Sequence, residues 1–211
     1  LIDVTATTPT TTPTRDRIAA GLQQGFAEYG FAGRSVDELR EWSGVSLRTL
    51  YKYFPSREAM VIGALEYRGA MYMDWISDSP GPDHGVDHVL HILTRLHDWL
   101  TGVANIGCFF GNALSEYPDS RDVEDITVRH KAQIVDMFRT RLAEIATEYD
   151  AATIDHLADT LFLLHEGATQ AARYQGVDTA ISAAMRGARA ALAAEGIGNP
   201  SPDERTRRHG R

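Results

Sequence analysis

Cysteine occurs once in this sequence, at position 108. A single thiol excludes an intrachain disulfide and suits a reducing compartment, so the expected location is the cytoplasm. Long apolar runs are also missing. No stretch approaches the roughly 18 consecutive apolar residues of a membrane span, and no membrane partner is expected. The opening residues, LIDVTATTPTTTPT, have neither a basic leader nor an apolar core, so they do not read as a secretory signal. Strand-type alternation is not evident. Neither is a glycine-rich phosphate loop, a nucleophile elbow or a defensible pair of catalytic carboxylates. The reading is therefore not an enzyme, with no catalytic residue, cofactor or metal assigned.

What is present is ordinary globular composition, 43% hydrophobic and 24% charged. The net charge is -8, and it is unevenly spread. Residues 15–57 hold seven Lys/Arg against five Asp/Glu, whereas residues 58–202 hold ten against twenty-one. A weakly basic head on an acidic body can hold phosphates while the body stays off random DNA. Taken alone, a head so close to neutral says little.

Helical periodicity covers nearly everything between two tails. Residues 1–14 are Thr/Pro-rich and 196–211 carry Gly, Pro and charge, and both read as disordered. The first helix, about 15–29, has Ile18, Leu22, Phe26 and Tyr29 on one stripe and stops at Gly30. Ser35 caps a second helix, with Glu38 completing a capping box. Val36, Leu39 and Trp42 are its expected inward side, and Gly44 ends it. Ser46 caps a short third helix with Leu50 and Phe54 inward. Pro55 ends that helix, and Ser56 caps a fourth that runs to about Ser77. Further helices are expected at about 83–101, 107–117, 121–149, 152–174 and 178–194.

The second helix, the turn Ser43-Gly44-Val45-Ser46 and the third helix make a helix-turn-helix. Gly44 lets the backbone reverse where a side chain is expected to clash. The surrounding residues carry a specific resemblance. FAEYGF after the first helix, Ser35-Val36, Leu39, and above all GVSLRTLYKYFPSRE resemble the DNA-binding domain of the TetR/AcrR family. The resemblance spans Arg15 to Leu65 and weakens beyond. It implies an all-α fold: an N-terminal three-helix helix-turn-helix DNA-binding domain (15–58) and a C-terminal helical ligand-binding and dimerisation domain (59–195). It also implies double-stranded operator DNA, a small-molecule effector and a second copy of the chain as partners. Leu47, Arg48, Tyr51 and Lys52 are expected on the exposed side of the third helix. Arg48 is the first choice for a guanine edge, because a bidentate Arg–guanine pair discriminates by roughly 1–3 kcal/mol. Tyr53 and Arg57 are expected on phosphates, with Ser35, Ser46 and Thr49 in support. Core packing is the alternative for Tyr53, and solvated charge for Arg48 and Lys52.

In the body, the resemblance implies a pocket among helices four to eight. Aromatic and polar residues off the main stripes supply its candidates: Met71, Tyr72, Trp75, Trp99, Phe109, Phe110, Asn112, Met137, Phe138, Phe162, His165, Glu166 and Gln170. Plain core packing is the alternative for any single aromatic among them. The last two helices are rich in small residues and present stripes for a two-fold interface. Their residues are Leu157, Leu161, Leu164, Ala168, Ile181, Met185, Ala188 and Leu192, and an internal hairpin is the alternative. Two smaller motifs stand out. His84, His88 and His91 share a helix face and can be read as metal ligands or as solvated residues. Cys108 begins a short helix and can be read as an electrophile sensor or as a small buried apolar residue. The function expected is a ligand-responsive DNA-binding regulator, a repressor released by a small molecule. The alternatives are a helical ligand-binding protein with a vestigial DNA head and a non-specific nucleoid-type binder.

Overall fold

The structure, a computed structural model, describes residues 14–79 and 81–198. The expected arm falls outside these residues apart from Thr14, which already belongs to the first helix. The expected tail falls outside them beyond Gly198. Among the described residues the regular structure is helical throughout: α1 Thr14–Tyr29, α2 Val36–Ser43, α3 Leu47–Tyr53, α4 Arg57–Ser77, α5 Gly85–Gly102, α6 Phe109–Glu116, α7 Arg121–Ile145, α8 Ala151–Gln175 and α9 Val177–Ala194. No described helix is long and apolar enough to cross a membrane.

Local chemistry fixes the ends of the first helices. Ser35 and Glu38 form the expected capping box: the Ser35 N–H donates to Glu38 Oε2 at 2.6 Å, and the Glu38 N–H donates to Ser35 Oγ at 3.2 Å. Ser46 and Ser56 cap α3 and α4 through the N–H groups of Thr49 and Ala59. Gly44 sits at φ 63°, the left-handed conformation that glycine adopts without strain. A Cβ built there meets nothing within 4 Å. The requirement at Gly44 is therefore conformational and not the steric one expected. Two other positions differ from expectation. Val36 is exposed rather than inward. The α7 helix ends at Ile145 rather than near Tyr149, because Asp150 turns the chain and caps α8 through the Thr153 N–H.

Two apolar clusters hold the chain together. The first unites Ile18, Leu22, Phe26, Leu39, Leu50 and Phe54 of the head with the N-terminal half of α4, with α6, and with Val123 and Ile126 of α7. The second unites the C-terminal half of α4 with α5, the remainder of α7, α8 and α9. Helices α4 and α7 thus run through both. The most extensive helix–helix contact is between α8 and α9, and α9 also packs on α5. This uses up most of the stripes expected to face a second copy. Leu157, Leu161, Ala168, Ile181, Ala188 and Leu192 are buried within one protomer, and Leu164 and Met185 are partly covered. The internal hairpin holds these residues, since the most regular apolar stripe finds its cover nearest in the chain. The face of this pair left open carries Leu163 (68% exposed), Gly167 and Tyr174 (76% exposed) on α8, with Ala183 and Ala190 on α9.

Candidate functional site

The seven-residue α3 is too short to hold its shape alone. Leu50 and Phe54, both buried, fasten it to α1, α2 and α4. Its other face is open: Leu47, Arg48, Tyr51 and Lys52 are exposed. Arg48 makes no hydrogen bond or ion pair among the described residues, so its planar fork of donors remains available. Lys52 lies over the Tyr53 ring at 5.7 Å. Tyr53 is half-buried against the head core, which leaves only part of it at the surface. Ser46 and Thr49 engage each other, with 2.9 Å between their hydroxyls. Arg57 departs from expectation. Its guanidinium turns inward, donating to the Tyr117 hydroxyl at 3.1 Å, to the Phe31 carbonyl at 2.7 Å and to the Arg34 carbonyl. The α1–α2 loop and the end of α6 occupy the donors that a phosphate was expected to take.

Behind the head, where α4 to α8 meet, lies a cavity of about 40 Å³, room for roughly two or three water molecules. Tyr72, Trp99, Phe109, Phe110, His165 and Glu166 line it, as does Arg68. The Tyr72 hydroxyl and His165 Nε2 are 2.5 Å apart. Glu166 Oε1 lies 3.4 Å from His165 Nδ1 without hydrogen-bond geometry and accepts from Lys131 Nζ at 2.8 Å. Burial pushes the Glu166 carboxyl up, but His165 and the Lys131 ammonium outweigh it and hold the pKa at about 2. Burial, helped by Lys131, pulls His130 down to about 3, and burial lowers His165 as well. Both imidazoles are therefore neutral at pH 7.

Residues 18–64 match the family described as bacterial regulatory proteins, tetR family. The head of the chain is therefore similar to the helix-turn-helix domain of that family. Solved structures share the fold over most of the chain. A TetR-family transcriptional regulator of Streptomyces coelicolor is 21% identical with a TM-score of 0.72, over 87% of this chain and 90% of that one. A TetR regulator of Legionella pneumophila is 18% identical with a TM-score of 0.68, over 85% and 97%. A transcriptional regulator of a Rhodococcus species is 18% identical with a TM-score of 0.71, over 85% and 96%. No curated protein matches this sequence.

Within the body, several pocket candidates lie away from the cavity. Met71 and Trp75 border a separate surface groove beside Val103. Met137 faces a groove shared with Met73 and His88. Phe138 is fully buried core, Phe162 packs at its edge, and Gln170 is exposed. The Asn112 amide donates to the Ile106 carbonyl and braces the loop before α6. A helical period places side chains on a face, but only tertiary packing decides which faces converge. Arg68 and Lys131 were missed because an isolated cation on a long helix carries no periodic mark, and His130 because it falls on the apolar stripe of α7 with Ile126 and Ile134, where it reads as core. His84, His88 and His91, at and just after the start of α5, also separate. His88 bonds the Pro82 carbonyl and Glu144, the His91 Nε2 is shut away without a partner, and His84 stands exposed at the helix start. Among the described residues no group of three or more His, Cys, Asp or Glu is placed to hold a metal. Cys108 is buried, caps α6 through the Gly111 N–H and accepts from Lys131 Nζ at 3.2 Å.

The short α6 touches both sites. Its first residues wall the cavity, while the Phe109 ring lies 4.9 Å from that of Phe31 in the head. At its far end the Tyr117 hydroxyl holds Arg57, and Ser120 beyond it donates to Glu58 at the start of α4.

Proposed function

We propose that the chain is a TetR-family DNA-binding transcriptional regulator, a homodimeric repressor that leaves a semi-palindromic operator when a small molecule occupies the cavity. The head is residues 15–58 and the body 59–195. The observation that carries the reading is the free face of α3: Leu47, Arg48, Tyr51 and Lys52 stand exposed on a helix held by a packed core. In the complex Arg48 reads a base edge, with Tyr51 and Lys52 beside it and Tyr53, Ser35, Ser46 and Thr49 nearer the phosphates. Widening of the cavity displaces α6, which tugs the α1–α2 loop and α4 through Phe31, Arg57 and Glu58. A coupling of about 1–3 kcal/mol is enough for a useful response.

Two recognition helices must stand about 34–36 Å apart to enter successive major grooves, which calls for a second copy. The face carrying Leu163, Gly167 and Tyr174 is the apolar surface on α8 that supports this assembly. In a two-fold contact each substitution acts twice. Leu163→Glu is therefore expected to turn the dimer into a monomer at micromolar concentration, read by analytical ultracentrifugation. An unchanged sedimentation coefficient contradicts this interface. Arg48→Ala is expected to keep its fold and lose about tenfold or more in preference for operator over scrambled duplex. Retained preference in a competition assay removes Arg48 from base reading. The direction of control is tested by transcription in vitro from a promoter carrying the operator. Falling transcript with added protein supports repression, and rising transcript refutes it.

A further inference from the structure

We propose that the cavity takes an organic monocarboxylate, its carboxylate seated on Arg68 and its apolar part against Trp99, Phe109 and Phe110. This rests on the reading of the cavity as the effector site and names the class of effector. Arg68 is 6% exposed. Its guanidinium lies 4.5 Å from the Trp99 ring centre and 5.7 Å from that of Phe109. Those π faces stabilise the charge, but they offer no in-plane acceptor to its five N–H donors. Among the described residues Arg68 has no hydrogen-bond acceptor and no carboxylate partner. A buried charge without a counterion is costly, and removing that cost is a source of ligand affinity.

The neighbouring charges fix the sign and number of the ligand's own. Lys131 and Glu166 neutralise each other at 2.8 Å. His130 and His165 are neutral, which leaves one positive charge in the cavity, that of Arg68. Burial lowers the Arg68 pKa only to about 10, so it is charged at pH 7, and the opposing pulls come from Tyr72 and Cys108. One net positive charge matches a monoanion. A guanidinium meets a carboxylate through two parallel N–H···O bonds. A second group also lacks a partner: His130 is 6% exposed, lines the same cavity and makes no hydrogen bond among the described residues. Its neutral ring, stacked at 4.1 Å on Phe110, can supply one further donor or acceptor. Leu96, Leu100 and Ile134 complete an apolar wall that disfavours a highly hydrated inorganic ion. The space of about 40 Å³ admits the carboxylate end, and a larger tail enters only as the walls part.

The test uses the full chain in low-chloride buffer, with acetate and benzoate as probes and acetamide and benzamide as their neutral counterparts. Titration calorimetry is expected to show saturable binding of the carboxylates and none of the amides. Arg68→Met, which keeps length and removes charge, is expected to weaken benzoate binding about tenfold or more. Its melting temperature is expected to equal or exceed the parent's. Should Arg68→Met fail to fold, Arg68→Lys takes its place, with weaker benzoate binding and a retained preference over benzamide. No binding of either carboxylate, equal binding of the amides, or parent-like affinity in the folded Arg68 variant overturns the proposal. Operator binding on the same samples separates the two readings. Carboxylate binding that leaves operator affinity unchanged keeps the anion site and refutes its role in release.

Discussion

Gly21→Ala should cost this protein about 2–3 kcal/mol of stability and cost the folded head most of its operator affinity. A Cβ at Gly21 would lie 2.0 Å from the Trp42 carbonyl oxygen and 3.0 Å from its carbon. The obstacle is backbone, so no side chain can rotate away. One turn on, a Cβ at Gly25 would meet the Trp42 ring at 2.1 Å. Together the two glycines let α1 lie directly on the end of α2, the helix whose turn aims α3. Forcing them apart overpacks the head and tilts the recognition face. For a chain of this size the melting temperature should fall by roughly 4–12 °C. Gly102→Ala is the control: it ends α5 with nothing within 4 Å of the added methyl and should shift stability by less than about 1 kcal/mol. An unchanged melting temperature in Gly21→Ala contradicts the close approach.

Acid should weaken the fold well before the carboxylates protonate. His130 is held neutral chiefly by burial, with a folded pKa of about 3. Around it stand Arg68 and Tyr72 from α4, Phe110 from α6, Lys131 on its own helix, and His165 and Glu166 from α8. In the unfolded chain the same ring takes a proton near pH 6.5. A depressed folded pKa means that the stability is fully present above the unfolded value and lost as pH falls toward the folded one. Each pH unit between about 6.5 and 3 therefore costs about 1.4 kcal/mol for His130 alone. Burial lowers His165 in the same direction. His97, raised by Asp178 and Asp98 at the surface, acts oppositely, and solvent screens it. Urea unfolding at pH 7 and pH 5 should show a loss of at least roughly 2 kcal/mol in the parent, the share of His130 alone. His130→Phe, which keeps the stack on Phe110, should lose distinctly less. Equal pH slopes in the two proteins would exclude His130 as the source.

The helix-turn-helix was readable because its signals are local. Ser35 with Glu38, Ser46 and Ser56 each act within three residues, and Leu50 and Phe54 fall where a short helix must be covered. What depends on distant neighbours was not readable. Arg57 sits where a phosphate contact was expected, yet Phe31, Arg34 and Tyr117 converge on it from elements up to sixty residues away. The stripes of α8 and α9 were correctly apolar but found their cover in each other and in α5. Arg68 reads in sequence as an ordinary solvated cation, and only the closing of α5 to α8 around it makes it a buried charge. Gly21 and Gly25, four residues apart on α1, carried a usable signal. Small residues at that spacing mark a face where another backbone comes close.

The most direct test of the central claim is selection of bound sequences from random duplex DNA by the full chain at about physiological salt, where non-specific binding is weak. The account predicts one enriched motif with two-fold symmetry and half-sites about one helical turn apart, with enrichment collapsing in Arg48→Ala. A folded, dimeric protein that enriches no motif, or enriches the same motif without Arg48, would contradict it.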